Sequence, residues 1–165
     1  MTKIIRTAII ISFMLLWSCH EKYDQSLYNL RFHLNHWIEI DFNSRETKIE
    51  IMKYKDSLIL TKKEEQSIKN SYIKNKIYDF YGDKVFCEEL PVMPPIDLII
   101  SVNIKGKTQA NITISDRLTS GNNMETKRII KFRDDLMSVL ENNESFKKVQ
   151  DTLYKYIKEN KIILL

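Results

Sequence analysis

Between residues 36 and 60 apolar and polar side chains alternate in short runs. From His36 to Phe42, Ile38, Ile40 and Phe42 fall on one side and Trp37, Glu39 and Asp41 on the other. This is the period-two pattern of a strand with one buried face. Asn43-Ser44-Arg45-Glu46 supplies turn chemistry. A second strand is predicted over Thr47–Tyr54, with Ile49 and Ile51 on one face, followed by a turn at Lys55-Asp56 and a third short strand over Ser57–Leu60. The cleanest alternation lies further on. Ile96, Leu98, Ile100, Val102 and Ile104 share one face, Lys105-Gly106-Lys107 makes a hairpin turn, and Thr108–Ile114 returns. On that returning strand Ala110, Ile112 and Ile114 point inward and Gln109, Asn111 and Thr113 outward.

Elsewhere the period changes to that of a helix. Thr61-Lys62-Lys63-Glu64 has capping-box spacing, in which hydroxyl and carboxylate satisfy the free backbone donors of a helix start. Ile68, Tyr72, Ile73, Ile77 and Phe80 follow at helical spacing, and Gly82 is expected to end the helix in a left-handed conformation. Residues 83–95 hold all three prolines, Pro91, Pro94 and Pro95, and are expected to be irregular. After a polar loop over residues 115–123, a second helix is predicted at about 124–141 and a third at about 144–159, separated by Asn142-Asn143. The final residues, Ile162–Leu165, are apolar and are expected to dock. The order is strand, strand, strand, helix, hairpin, helix, helix. It predicts an α+β domain with an antiparallel sheet of about five strands and two or three helices packed on one face.

The first eighteen residues follow a different logic. Lys3 and Arg6 form a basic start, Ala8–Trp17 is an unbroken apolar block apart from Ser12, and the polar residues His20, Glu21 and Lys22 follow Cys19 directly. The block falls short of the about 20 residues needed to span a bilayer and reads as a secretion signal. Leu16-Trp17-Ser18-Cys19 resembles the lipobox of bacterial lipoproteins: an aliphatic residue, then a small residue directly before cysteine. The resemblance implies cleavage before Cys19, a diacylglycerol on its thiol and an acyl group, such as palmitate, on the new amino terminus. Multiple acyl chains hold a protein on a membrane stably, whereas one does so marginally. It implies three segments: a cleaved signal at 1–18, a lipidated tether at 19–31 and a single domain at 32–165. The compartment expected is the cell envelope. His20 stands where an aspartate commonly retains lipoproteins at the inner membrane, so the outer membrane is the expected destination.

Charge and composition narrow the function further. The chain of 165 residues carries a formal charge of +4, and loss of Lys3 and Arg6 with the signal leaves +2. A weak, interspersed excess of this kind does not make the clustered basic face of a nucleic-acid binder. There are two cysteines. With Cys19 lipidated, Cys87 has no partner within the chain, and its setting in Val85-Phe86-Cys87 predicts a small buried apolar side chain.

Few residues suggest chemistry. His33, His36 and Glu39 would share a helix face and could hold a metal, but a strand turns His33 and His36 to opposite faces. Glu88-Glu89 could supply acid or base groups, yet neighbours in an extended segment diverge, so a solvated acidic loop is the simpler reading. Asp97 and Asp116 flank the hairpin and are expected to close strand ends. Gly-x-Ser-x-Gly, a Gly-rich phosphate loop, His-Glu-x-x-His and Cys-x-x-Cys are all missing from the sequence. No catalytic residue, metal or cofactor is therefore assigned. The expectation is a non-catalytic, lipid-anchored domain that binds a protein or another envelope component, with Gln109, Asn111 and Thr113 as a possible binding surface. Two alternatives stand beside it: an immunity lipoprotein that neutralises a competitor's toxin, and an envelope hydrolase using residues of the loops at 83–95 and 115–123, which a deep pocket lined by Glu88, Asp97 or His36 would favour.

Overall fold

The computed structural model describes residues 30–34, 37–87, 97–104 and 106–162, so Cys19, His36, Glu88 and Glu89 lie outside the described residues. The strands are β1 (Leu30–Leu34), β2 (Ile38–Asp41), β3 (Glu46–Ile49) and β4 (Tyr54–Ser57), then β5 (Gly82–Phe86), β6 (Asp97–Ile104) and β7 (Lys107–Ser115). The helices are α1 (Lys62–Lys74), between β4 and β5, followed after β7 by α2 (Met124–Asn142) and α3 (Glu144–Glu159). Short 3-10 turns cover Glu50–Met52 and Ile77–Asp79. No helix among the described residues is long and apolar enough to cross a membrane.

The α+β class agrees with the alternation and helical periods, but the sheet is larger than expected and not all antiparallel. Seven strands pair in the order β4-β3-β2-β1-β6-β7-β5. All neighbours are antiparallel except β5 and β7, which run parallel. Three differences from the expected five strands have separate physical causes. Leu30, Phe32 and Leu34 alternate inward as a central strand, so the sheet starts two residues before the expected boundary at 32. The polar tetrapeptide of β4 forms a strand because β3 pairs with it, and the expected turn at Lys55-Asp56 lies inside it. Residues 82–86, expected to be irregular beyond Gly82, form an edge strand through long-range parallel pairing with β7.

Among the described residues, helices cover one face of the sheet. Phe32, Ile40, Ile49, Ile100, Val102, Ala110 and Ile112 point to that face. They form one core with Ile68 and Tyr72 of α1, Ile129, Phe132, Leu136 and Leu140 of α2, and Phe146 and Val149 of α3. Tyr72 and Phe132 meet edge to face at 6.1 Å, an arrangement that adds to the area they bury.

The ends of the helices show how local and tertiary signals combine. At the start of α1 the capping box is complete: Glu64 N–H donates to Thr61 Oγ1 at 3.2 Å, and Thr61 N–H donates to Glu64 Oε2 at 2.7 Å. Burial alone would raise the Glu64 carboxyl. The bonds from Thr61 and Asn143 outweigh it and hold the group below its usual value. Replacing Thr61 with Ala is expected to cost about 1 kcal/mol. Denaturant melts check this, and an unchanged midpoint would show that the cap contributes nothing.

The far end of α1 departs from expectation. The helix stops at Lys74 rather than Gly82. Asn75 Nδ2 donates to Ser71 O at 2.9 Å, Lys76 takes a left-handed conformation, and Arg128 of α2 donates to the carbonyls of Asn75 and Lys76. Gly82 does have a positive φ of 69°, but it opens β5.

Candidate binding surface

A pleated sheet sends alternate side chains to opposite faces. Once the residues of β1, β6 and β7 that face the helices are fixed, the other face follows from the strand register. Two rows of side chains cross all seven strands there. The first runs Asp83, Asn111, Ser101, Arg31, Asp41, Glu46, Ser57; the second runs Val85, Thr113, Ile99, His33, Glu39, Lys48, Lys55.

The rows are internally bonded. Asn111 donates to Asp83 Oδ1 at 3.1 Å and accepts from Ser101 Oγ at 2.9 Å. Arg31 Nε donates to Asp41 Oδ2 at 3.0 Å. Lys48 lies 3.7 Å from Glu39 and 3.4 Å from Glu46, which also receives Lys55 at 3.4 Å. Burial would raise the Asp41 carboxyl. The backbone N–H groups of Ser44 and Asn43 and the Arg31 guanidinium outweigh it, so the carboxylate stays below its usual value. Cross-strand pairs of this kind each contribute little to stability, about 0.2–1 kcal/mol. Their effect is to hold donors and acceptors at fixed positions on a broad face. At the β5 edge the face becomes less polar, with Val85 69% exposed beside half-buried Thr113 and Ile99.

The three residues expected to form a surface have different roles. Asn111 is exposed in the first row, one strand in from the β5 edge. Thr113 is half-buried in the second. Gln109 is also half-buried, and its amide donates to the carbonyls of Tyr78 at 2.7 Å and Phe80 at 2.9 Å. It therefore clamps the segment before β5 and leaves less of itself for a ligand.

Other candidates are rearranged. His33 and Glu39 are direct cross-strand partners on the open face, while His36 lies outside the described residues. Among the described residues no three His, Cys, Asp or Glu side chains group as a metal site. Asp97 pairs with Ser115 at the end of the β6–β7 hairpin and Asp116 is exposed just beyond. Cys87 is exposed directly after β5 rather than buried. Its apolar neighbours misled the expectation: at an edge strand Val85 faces solvent, and only Phe86 turns inward, against Phe80. Among the tyrosines, Tyr72 is buried, whereas Tyr81 and Tyr154 are largely exposed.

The signal for the open face was present in the sequence as the polar partner of each alternating run. What the sequence lacks is the order of the strands, and only that order joins short polar stripes into continuous rows. One depression of about 450 Å³ lies elsewhere, along α3, lined by Glu144, Lys147, Lys148, Asp151, Thr152 and Lys155. Beside it Lys148 donates to Asp56 at 2.8 Å. That bond, with the Ser57 N–H and the Tyr54 hydroxyl, holds the Asp56 carboxyl down at about 2. The depression is formed by one solvated helix face and brings no acid–base pair together with a nucleophile. No protein-family model, curated protein or solved structure matches the chain.

Proposed function

We propose that this chain is a lipid-anchored protein of the bacterial cell envelope, and that its domain binds another macromolecule through the open face of the sheet. The observation that carries the binding reading is the asymmetry of the sheet. Helices cover one side, and the other presents two largely polar rows across seven strands, bonded in part to one another, with a less polar margin at β5. A broad, fixed array of donors and acceptors suits an extended partner surface better than a small substrate, which is usually enclosed in a concave pocket. The anchoring reading rests on the segment Leu16-Trp17-Ser18-Cys19 and its setting behind a basic start and an apolar block. Outer-membrane residence belongs to the same proposal and rests on His20.

The two parts have one combined test. A photo-crosslinking residue placed at Asn111 should give a discrete adduct in cells, whereas the same residue at Gln66, exposed on α1, should not. Arg31→Gln, on the same row as Asn111, should reduce that adduct while costing at most about 1 kcal/mol in the melt, the upper end for one cross-strand pair. Equal adducts from both positions would remove the open face as the binding surface. In parallel, Cys19→Ala should abolish incorporation of labelled fatty acid and release the protein from the membrane fraction. Persistence of the label would remove the anchor.

A further inference from the structure

We propose that the end of the domain at which β1 begins docks on an anionic phospholipid bilayer, an inference that rests on the lipid anchor proposed for Cys19. Two observations lead there. The first is where the described chain starts. Leu30 is the first residue of β1, lies opposite Val102 of β6, and accepts a hydrogen bond from Phe42 N–H at 3.1 Å. The eleven residue steps from Cys19 to Leu30 reach at most about 40 Å when fully extended. A lipid on Cys19 therefore keeps the start of β1 within about 40 Å of the bilayer.

The second observation is the charge found at that end. The turn between β2 and β3, the end of β4, and the starts of β5 and β7 all lie there, by the register of the sheet. Helix α1 is tied across it. Glu65 pairs with Arg45 of the β2–β3 turn at 2.6 Å, and the carbonyls of Tyr78 and Phe80, just beyond the helix, are held by Gln109 near the start of β7. Helix α2 packs alongside α1, and its Arg133 donates to Ser115 O at the close of β7, at the other end of the sheet.

Lys62, Lys63, Lys74 and Lys76 on and after α1, and Lys107 at the start of β7, are all exposed. The basic side chains outnumber the nearby acids, of which Glu64 is held in the capping box, Glu65 by Arg45, Asp79 by Arg128 at 3.8 Å and Asp83 by the Asn111 amide at 3.1 Å. The opposite end of the sheet mixes Glu50 and Asp116 with Lys53 and Arg117. Each basic side chain close to an anionic surface favours the bound state about fivefold, and the tether raises the local concentration at which this acts. Docking by this end also leaves the open face standing away from the lipid and accessible to a partner.

The full chain, produced with its own signal and extracted as the mature protein, is reconstituted into vesicles of phosphatidylcholine alone or of phosphatidylcholine with phosphatidylglycerol. Amine-reactive labelling is then read lysine by lysine. Lys62, Lys63, Lys74, Lys76 and Lys107 should label severalfold more slowly on the phosphatidylglycerol vesicles. Lys53 and Lys155 should not change, and high salt should abolish the difference. A variant with Lys62→Gln, Lys63→Gln and Lys74→Gln, all at exposed positions, should lose the protection of Lys107. Equal labelling on both vesicles, with lipid present on Cys19 by intact mass, would overturn the docking and leave the anchor standing. An intact mass without lipid on Cys19 would overturn the anchor and the docking together.

Discussion

Truncating Ile112 to Ala is expected to destabilise the domain by about 2–5 kcal/mol, the range for removing a large aliphatic side chain from a packed core. Ile112 is fully buried in the middle of β7, opposite Ile100 of β6. Both side chains belong to the core that the three helices cover. Losing three carbon atoms would remove their burial and leave a cavity, because neighbours on a paired strand cannot collapse far. The adjacent Asn111→Ala change is the control. Asn111 is exposed, and its bonds to Asp83 and Ser101 lie in water, so its loss should stay within about 0.5 kcal/mol. Equilibrium denaturation of both variants decides the matter. Because one step along a strand exchanges the two faces, a reversed pair of values would mean that β7 presents its other face to the helices. The proposed binding rows would then be lost with it.

Asn143→Ala should cost about 2–3 kcal/mol, roughly 5–10 °C in melting temperature for a domain of this size. The residue closes α2 and opens α3. It is buried, and its amide serves four partners. Oδ1 accepts from Phe146 N–H at 3.0 Å and Ser145 Oγ at 2.6 Å, and Nδ2 donates to Ile59 O at 2.8 Å and Glu64 Oε1 at 3.1 Å. Loss of the N-cap accounts for about 1 kcal/mol. The remaining loss comes from the bonds that join the α2–α3 corner to the segment between β4 and α1, at about 0.5–1.5 kcal/mol each. Asn143→Ser separates the two contributions, since a serine hydroxyl caps the helix but cannot reach both Ile59 and Glu64. It should recover roughly half of the loss. Full recovery by serine would show that only the cap matters. Because Glu64 also completes the capping box of α1, the costs of Asn143→Ala and Thr61→Ala should not add.

The sequence by itself determined the features whose causes are local. The start of α1 is written in Thr61 and Glu64, three residues apart, and needs no other part of the chain. Helices α2 and α3 lie within a residue of their expected bounds because Asn123 and Asn143 cap them beside long apolar periods. The hairpin of β6 and β7 was legible because alternation on both arms and Gly106, at φ 74°, sit close together in sequence. The buried face of β7 followed from the same alternation.

The tertiary structure decided what depends on partners distant in sequence. β1 carries its own alternation at Leu30, Phe32 and Leu34, but only pairing with β6 makes it the centre of the sheet rather than the end of a tether. β4 has almost no apolar content and is a strand because β3 supplies its hydrogen bonds. β5 follows a helix and a glycine and precedes the prolines, and only its parallel register with β7 makes it a strand and exposes Cys87. The helix ending at Lys74 depends on Arg128, over fifty residues away, reaching the carbonyls of Asn75 and Lys76. Backbone hydrogen bonds between distant segments leave no periodic mark on either one. The polar side of each strand was therefore readable from the chain, but the continuous open face those sides form was not.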